Sequence, residues 1–292
     1  TMTDKTIKQK PESNDYQARG SKIFKFLTRL STFLTFGSLL LIIGYIIGQG
    51  LTHIRPDMFE WTYTSENLSM MPAIITTLIT VALSILIAAP IGVFTGFYLV
   101  EYAKRGSKLV EAIRLSAETL AAIPSIVYGL FGMLFFVMRL NMGYSIISGV
   151  LTVTIMILPL IIRATEEALL TVNDSLRQGS FGLGAGKLRT IFRVVLPSAM
   201  PGIVAGIILA IGRVVGETAA LMYTLGTTSN MPRNLWSSGR TLALHMYVLS
   251  SEGLHVQEAY ATGVILLIVV IILNQISETL SKRLTQRGIK QK

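Results

Sequence analysis

The sequence predicts an all-α polytopic membrane protein: six transmembrane helices, with both termini in the cytoplasm. Three observations carry this reading. Charged residues make up 14% of the 292 residues, against about a quarter in soluble domains, while 51% are hydrophobic. Six uncharged runs stand in the chain, most of them close to the ~20 apolar residues that cross a hydrocarbon core. Basic residues are concentrated in alternate loops between these runs.

Residues 1–21 are polar and without hydrophobic periodicity, which predicts a disordered cytoplasmic tail. Residues 22–52 begin with Lys22, Lys25 and Arg29 among apolar positions and continue uncharged over 31–52. They read as an interfacial segment followed by the first transmembrane helix. No cleavable signal peptide is expected, because the charged leader is long and the apolar run exceeds a signal core. The outer loop 53–71 is polar and aromatic. The second run, 72–100, is the longest and is expected to tilt or project beyond the bilayer. A charged cytoplasmic loop, 101–118, is predicted helical. The third and fourth runs are 119–138 and 140–162. A long inner stretch, 164–197, leads into the fifth run. That run spans 194–212 and continues to about Thr224, with Arg213 and Glu217 inside it. The outer loop 225–258 contains RTLALHMYVL, which reads as a short re-entrant or surface helix. The sixth run, 259–277, precedes a basic cytoplasmic tail at 283–292.

Orientation follows from the basic residues. The leader, the 101–118 loop, the inner stretch from Arg163 and the tail from Lys282 hold 21 of the 26 lysines and arginines. The opposite side holds Arg55, Arg139, Arg233 and Arg240. This asymmetry places both termini inside. The formal charge of +10 is thereby a topology signal and not a nucleic-acid surface. The chain has no cysteine, which excludes disulfides, zinc-thiolate sites and thiol catalysis.

Small residues four apart, Gly92 and Gly96, Gly202 and Gly206, Gly212 and Gly216, allow close approach of helices in lipid. Pro90, Pro124 and Pro159 are placed to kink helices, as packing features or as hinges. Arg213 and Glu217 are ionisable residues within a span, which commonly face a bundle interior or a water-filled path. Their spacing of four predicts a shared helix face with Gly206, Ala210, Ala220 and Thr224, with Ile208, Ile211, Val215 and Met222 free to face lipid. The pair reads either as an anion pathway, where a fixed positive charge replaces part of an anion's hydration, or as a structural ion pair.

The inner stretch SLRQGSFGLGAGKLRTIFRVVLP has glycines at 179, 182, 184 and 186. It is not a P-loop: Phe181 stands where that motif needs its first glycine, and Leu188 where it needs Ser or Thr. No ATP site and no bound cofactor or metal is therefore expected in this chain. His53, His245 and His255 are widely spaced and expected at the surface, and Ser125 and Ser145 have no intramembrane His or Asp nearby. Glu166 and Glu167 beside Arg163 read as a solvated helix end or as a contact for a partner.

This stretch resembles the cytoplasmic loop of binding-protein-dependent ABC importer permeases, whose pattern is E-A-A, three residues, G, nine residues, I-x-L-P. Here Gln178, Gly179 and Ser180 occupy the E-A-A place, Gly184 the G, and Val194-Val195-Leu196-Pro197 the end. Glutamine replaces the glutamate, and Gly-Ser the small pair. The resemblance implies a type I (MetI-like) permease core over 70–282 and a loop that docks on an ATPase subunit. IPSIVYGLFG (123–132), LPLIIRATEEAL (158–169) and GRVVGETAAL (212–221) further resemble the phosphate permeases of the PstA family. That resemblance covers about residues 70–280. It implies a bacterial or archaeal inner-membrane location and a passive, non-catalytic role. It also implies a PstC-like partner permease, two PstB-like ATPases carrying ATP and magnesium, and a PstS-like phosphate-binding protein. Arg213 and Glu217 match the family's intramembrane charges and are implied in translocation. A permease for another oxyanion (molybdate, tungstate or sulfate) is the alternative. A membrane enzyme or channel would need a catalytic cluster or a symmetric pore helix, and neither is visible.

Overall fold

The computed structural model describes residues 14–290 except 105 and 252, with side chains described from 23 to 279. All regular structure among the described residues is helical. The chain divides into two compact units, Thr1–Gly48 and Gln49–Lys292. Most of helix α1 (Asn14–Leu51) forms the first, and Phe33, Leu34, Phe36, Leu40 and Leu41 all lie exposed along it. An apolar helix with no polar face suits contact with lipid. Of the expected disordered tail, residues 1–13 lie outside the described residues, and from Asn14 the backbone is helical.

The second unit holds α2 (Met71–Phe97), which ends in a π-helical turn, Tyr98–Tyr102. It continues with α3 (Lys108–Ala122), α4 (Ser125–Gly132, then a π-helical turn Met133–Arg139) and α5 (Ile146–Leu170). The short α6 (Asp174–Gly182) and α7 (Lys187–Thr190) precede a π-helical turn, Ile191–Val195, and α8 (Leu196–Val215). Last come α9 (Ala219–Thr224), α10 (Leu242–Ser251) and α11 (Val256–Lys290).

Among the described residues five helices are long and apolar enough to cross a membrane, six if α3 and α4 count as one. The third span is bent, as the position of Pro124 allowed: α3 and α4 meet at 101°. The cause is local. Pro124 has no amide hydrogen and disfavours helix at the residue before it, and Ile123 is extended (φ −70°, ψ 131°). The fourth span is also shifted. It begins at Ser145, whose hydroxyl accepts the Ser148 amide, and runs past residue 162 to Leu170. Its charged end is held to α3 by Arg114–Glu166 (2.5 Å) and Arg163–Glu118 (3.5 Å).

Helix α5 is the centre of this unit, with Val150, Val153, Met156, Ile157 and Ile161 all buried in its largest core. Two of the three glycine pairs bring neighbours onto it. A methyl at Gly92 would lie 2.7 Å from Ile161 Cγ2, and one at Gly96 2.7 Å from Thr165 Cβ, so α2 packs directly on α5. Gly202 and Gly206 of α8 meet Ala168 and Ala164 in the same way. The third pair does not behave so: Gly212 has open space beside it and Gly216 meets only its own helix end.

Candidate functional site

The loop of 164–197 folds into a helix, a turn and a helix. Asn173 caps α6, its Oδ1 accepting the Ser175 amide at 2.9 Å. Gln178, Gly179 and Ser180 lie within α6. The helix ends at Leu183, and Gly184 follows at φ +80°, a conformation that favours glycine. Ser180 Oγ and Thr190 Oγ1 are 2.8 Å apart and tie the two arms together. Gln178 and Gly179 face outward, as do Phe181 and Leu188, and Leu183 is 90% exposed. Leu196 and Pro197 open α8, where a proline forfeits no helical hydrogen bond. The structure thus gathers Gln178 to Gly184 into one exposed helix-turn and places Leu196 and Pro197 at the foot of the span that leads to Arg213.

The shared helix face of Arg213 and Glu217 is corrected. Helix α8 stops at Val215, and α9 starts at Ala219. Between them the Glu217 carboxylate, 8% exposed, accepts the Ala220 amide at 2.9 Å. It satisfies a donor that a continuous helix would have bonded internally, next to a helix N-terminus that favours negative charge. Tight packing on α4 holds α9 in place: Gly129 lies against Ala220, and Gly132 against Thr224. Ala220 and Thr224 therefore leave the face of Gly206 and Ala210. Ile211 and Val215, expected toward lipid, are buried. Arg213 is half-buried near Tyr128 of α4, and no hydrogen bond or ion pair joins it to another described residue.

One cluster escaped the sequence reading. His245 is fully buried on α10, not at the surface. Arg240, 6% exposed, lies with its guanidinium 4.9 Å from the centroid of the Tyr63 ring, and His245 meets the same ring edge-on at 6.3 Å. Burial, then the Arg240 charge, pushes the His245 imidazole down to about 3. RTLALHMYVL is apolar around both residues, a signal that could have placed them inside. Among the described residues no group of three or more His, Asp or Glu is arranged to hold a metal.

Residues 88–288 match the family described as "Binding-protein-dependent transport system inner membrane component". The chain belongs to this family. It is a multi-pass inner-membrane permease, as the loop spacing implied. Among its relatives, the probable ABC transporter permease protein YqgI of Bacillus subtilis is 38% identical over 208 residues, 66% of this chain and 70% of that one. A phosphate transport system permease protein PstA homolog of Mycoplasma genitalium is 34% identical over 233 residues, 77% of this chain and 35% of that one. The phosphate transport system permease protein PstA 1 of Mycobacterium tuberculosis H37Rv is 40% identical over 150 residues, 51% of this chain and 48% of that one. The match thus spans less than half the length of the latter two proteins. A chain of a bacterial alginate ABC transporter in complex with a pentasaccharide-bound periplasmic protein shares the fold. Its TM-score is 0.65 at 16% identity, covering 93% of this permease and 97% of that chain. A chain of the MetNI methionine ABC transporter gives 0.52 at 18% identity, covering 75% and 94%. Both are type I ABC importer permeases, and the bundle around α5 is that fold.

Proposed function

We propose that this chain is one permease subunit of an ATP-driven importer of inorganic phosphate. The observation that carries phosphate over other oxyanions is the likeness to chains named as phosphate transport permeases, at 34% and 40% identity. The geometry supports an anion. Arg213 sits half-buried at the end of α8 with no carboxylate paired to it, so its charge is available to a passing anion. Glu217 is occupied with the α9 backbone and holds the break open beside it.

In this reading the path lies between this chain and a PstC-like partner permease. The helix-turn of Gln178 to Gly184 faces the cytoplasm and docks on one of two PstB-like ATPases, with Phe181, Leu183 and Leu188 as its apolar contacts. ATP and magnesium belong to those ATPases, and their closure moves the loop. A PstS-like binding protein delivers phosphate at the opposite end. The chain itself performs no bond chemistry: it provides the passage, the countercharge and the docking loop. The test is uptake of labelled phosphate by the reconstituted complex, with sulfate, molybdate and tungstate as competitors. Saturable, ATP-dependent uptake that these do not compete for is expected. Uptake of one of them in place of phosphate would overturn the assignment.

A further inference from the structure

The helix-turn that carries Gln178 is fastened to the end of α2 on both sides. Before it stands Arg177. Its Nε and Nη2 donate to Glu101 Oε1 at 3.1 and 2.9 Å. Nη1 donates to the Val172 carbonyl at 2.7 Å and to Asp174 Oδ1 at 2.9 Å, and Nη2 also donates to the Leu169 carbonyl at 3.0 Å. One guanidinium thus joins the end of α5, the start of α6 and the end of α2. After α6 stands Lys187, its ammonium 4.6 Å from the centroid of the Tyr102 ring. Glu101 and Tyr102 both belong to the π-helical turn that ends α2.

These contacts differ from ordinary surface ion pairs, which contribute little because solvent screens them. The Arg177 side chain is 15% exposed and that of Glu101 10%. The guanidinium is bonded on all three nitrogens, and charge-assisted bonds of this kind are short and directional. Removing one partner leaves the other charge buried without compensation. The link therefore resists stretching. The helix it holds, α2, packs its Gly92 and Gly96 tightly on Ile161 and Thr165 of α5, so movement at its foot is carried along the span.

We propose that Arg177 and Glu101 are the positioning pair through which displacement of the docking loop reaches α2. This rests on the reading of Gln178 to Gly184 as the ATPase-docking element. Loss of the pair would let the loop follow the ATPase while α2 stays behind, so that ATP is hydrolysed without transport. The lysine–tyrosine contact is the weaker second fastening.

The experiment uses the full complex in vesicles. One spin label replaces exposed Phe94 on α2, another replaces exposed Leu176 on α6, outside the docking turn, in a parallel sample, and ATP-driven movement of each is measured beside phosphate uptake per ATP hydrolysed. Arg177→Ala and Glu101→Gln are expected to keep the movement at 176 and to lose that at 94. Uptake per ATP should fall by about tenfold or more, as for a broken buried pair. Arg177→Lys, which keeps the charge without the fork, should fall between. Unchanged movement at 94 in both single variants would overturn the proposal, as would equal loss at both positions. A wild-type complex whose labels move but which takes up no phosphate would count against the substrate assignment alone, because the label at 94 still reads the link.

Discussion

Glu217 accepts the amide of Ala220 at 2.9 Å across a break between two helices, and makes no ion pair with Arg213. The two charges at this place therefore do different work: the carboxylate shapes the backbone, and the guanidinium is left without a carboxylate.

Stability and transport should separate accordingly. Glu217→Ala removes an acceptor from a helix start and is expected to lower stability by about 1 kcal/mol, while Glu217→Gln keeps an acceptor and loses less. Arg213→Gln strands no buried partner, so its stability should stay within about 0.5 kcal/mol of wild type. Its phosphate uptake should nonetheless be abolished. Thermal unfolding of the purified complex and uptake of labelled phosphate check both. Near-normal uptake by Arg213→Gln would remove the arginine from the path.

The glycine pairs predict opposite outcomes for similar substitutions. Gly206→Val drives a branched side chain into Ala164 and is expected to destabilise the α5–α8 contact by about 1–3 kcal/mol. Gly212→Ala meets open space and should be neutral or slightly stabilising, as expected for glycine to alanine within a helix. Yield and melting temperature of the assembled complex distinguish them.

The docking loop is testable because the chain has no cysteine of its own. Single cysteines at Gln178, Phe181 and Leu183 should crosslink to the ATPase subunit, and a cysteine at Trp61, exposed in the 53–71 loop, should not. Absence of crosslinks at all three loop positions would overturn the docking assignment.

His245 predicts an acid sensitivity. Its folded form stays neutral down to about 3, against an ordinary value of 6.5, so below 6.5 the unfolded chain binds a proton that the folded chain does not. Stability from this residue is complete above 6.5 and declines as pH falls toward 3, by up to about 1.4 kcal/mol per pH unit. The facing charge is Arg240, which does not titrate in this range, and the shared ring is Tyr63. His245→Gln should flatten the pH dependence of the melting temperature between 4 and 6.5. An unchanged slope would contradict the buried, neutral state.

The sequence alone determined the class of this protein, the apolar runs that hold its spans and the glycine pairs that allow close helix approach. These features rest on composition, on runs of apolar residues and on fixed spacings, all of which are local. The bend at Ile123 and Pro124 is local too, because a proline restricts the residue before it. Two features were decided only by tertiary structure. Glu217 and the glycines of α4 together stop α8, which helical spacing alone carries through to Thr224. His245 and Arg240 are buried although they sit in a segment that reads as an outer loop. In each case the deciding partner lies outside the local pattern: a neighbouring glycine that admits a backbone, an amide in need of an acceptor, or an aromatic ring beneath a charge. Helical periodicity records which residues share a face only while the helix continues, and packing from elsewhere in the chain decides where it ends.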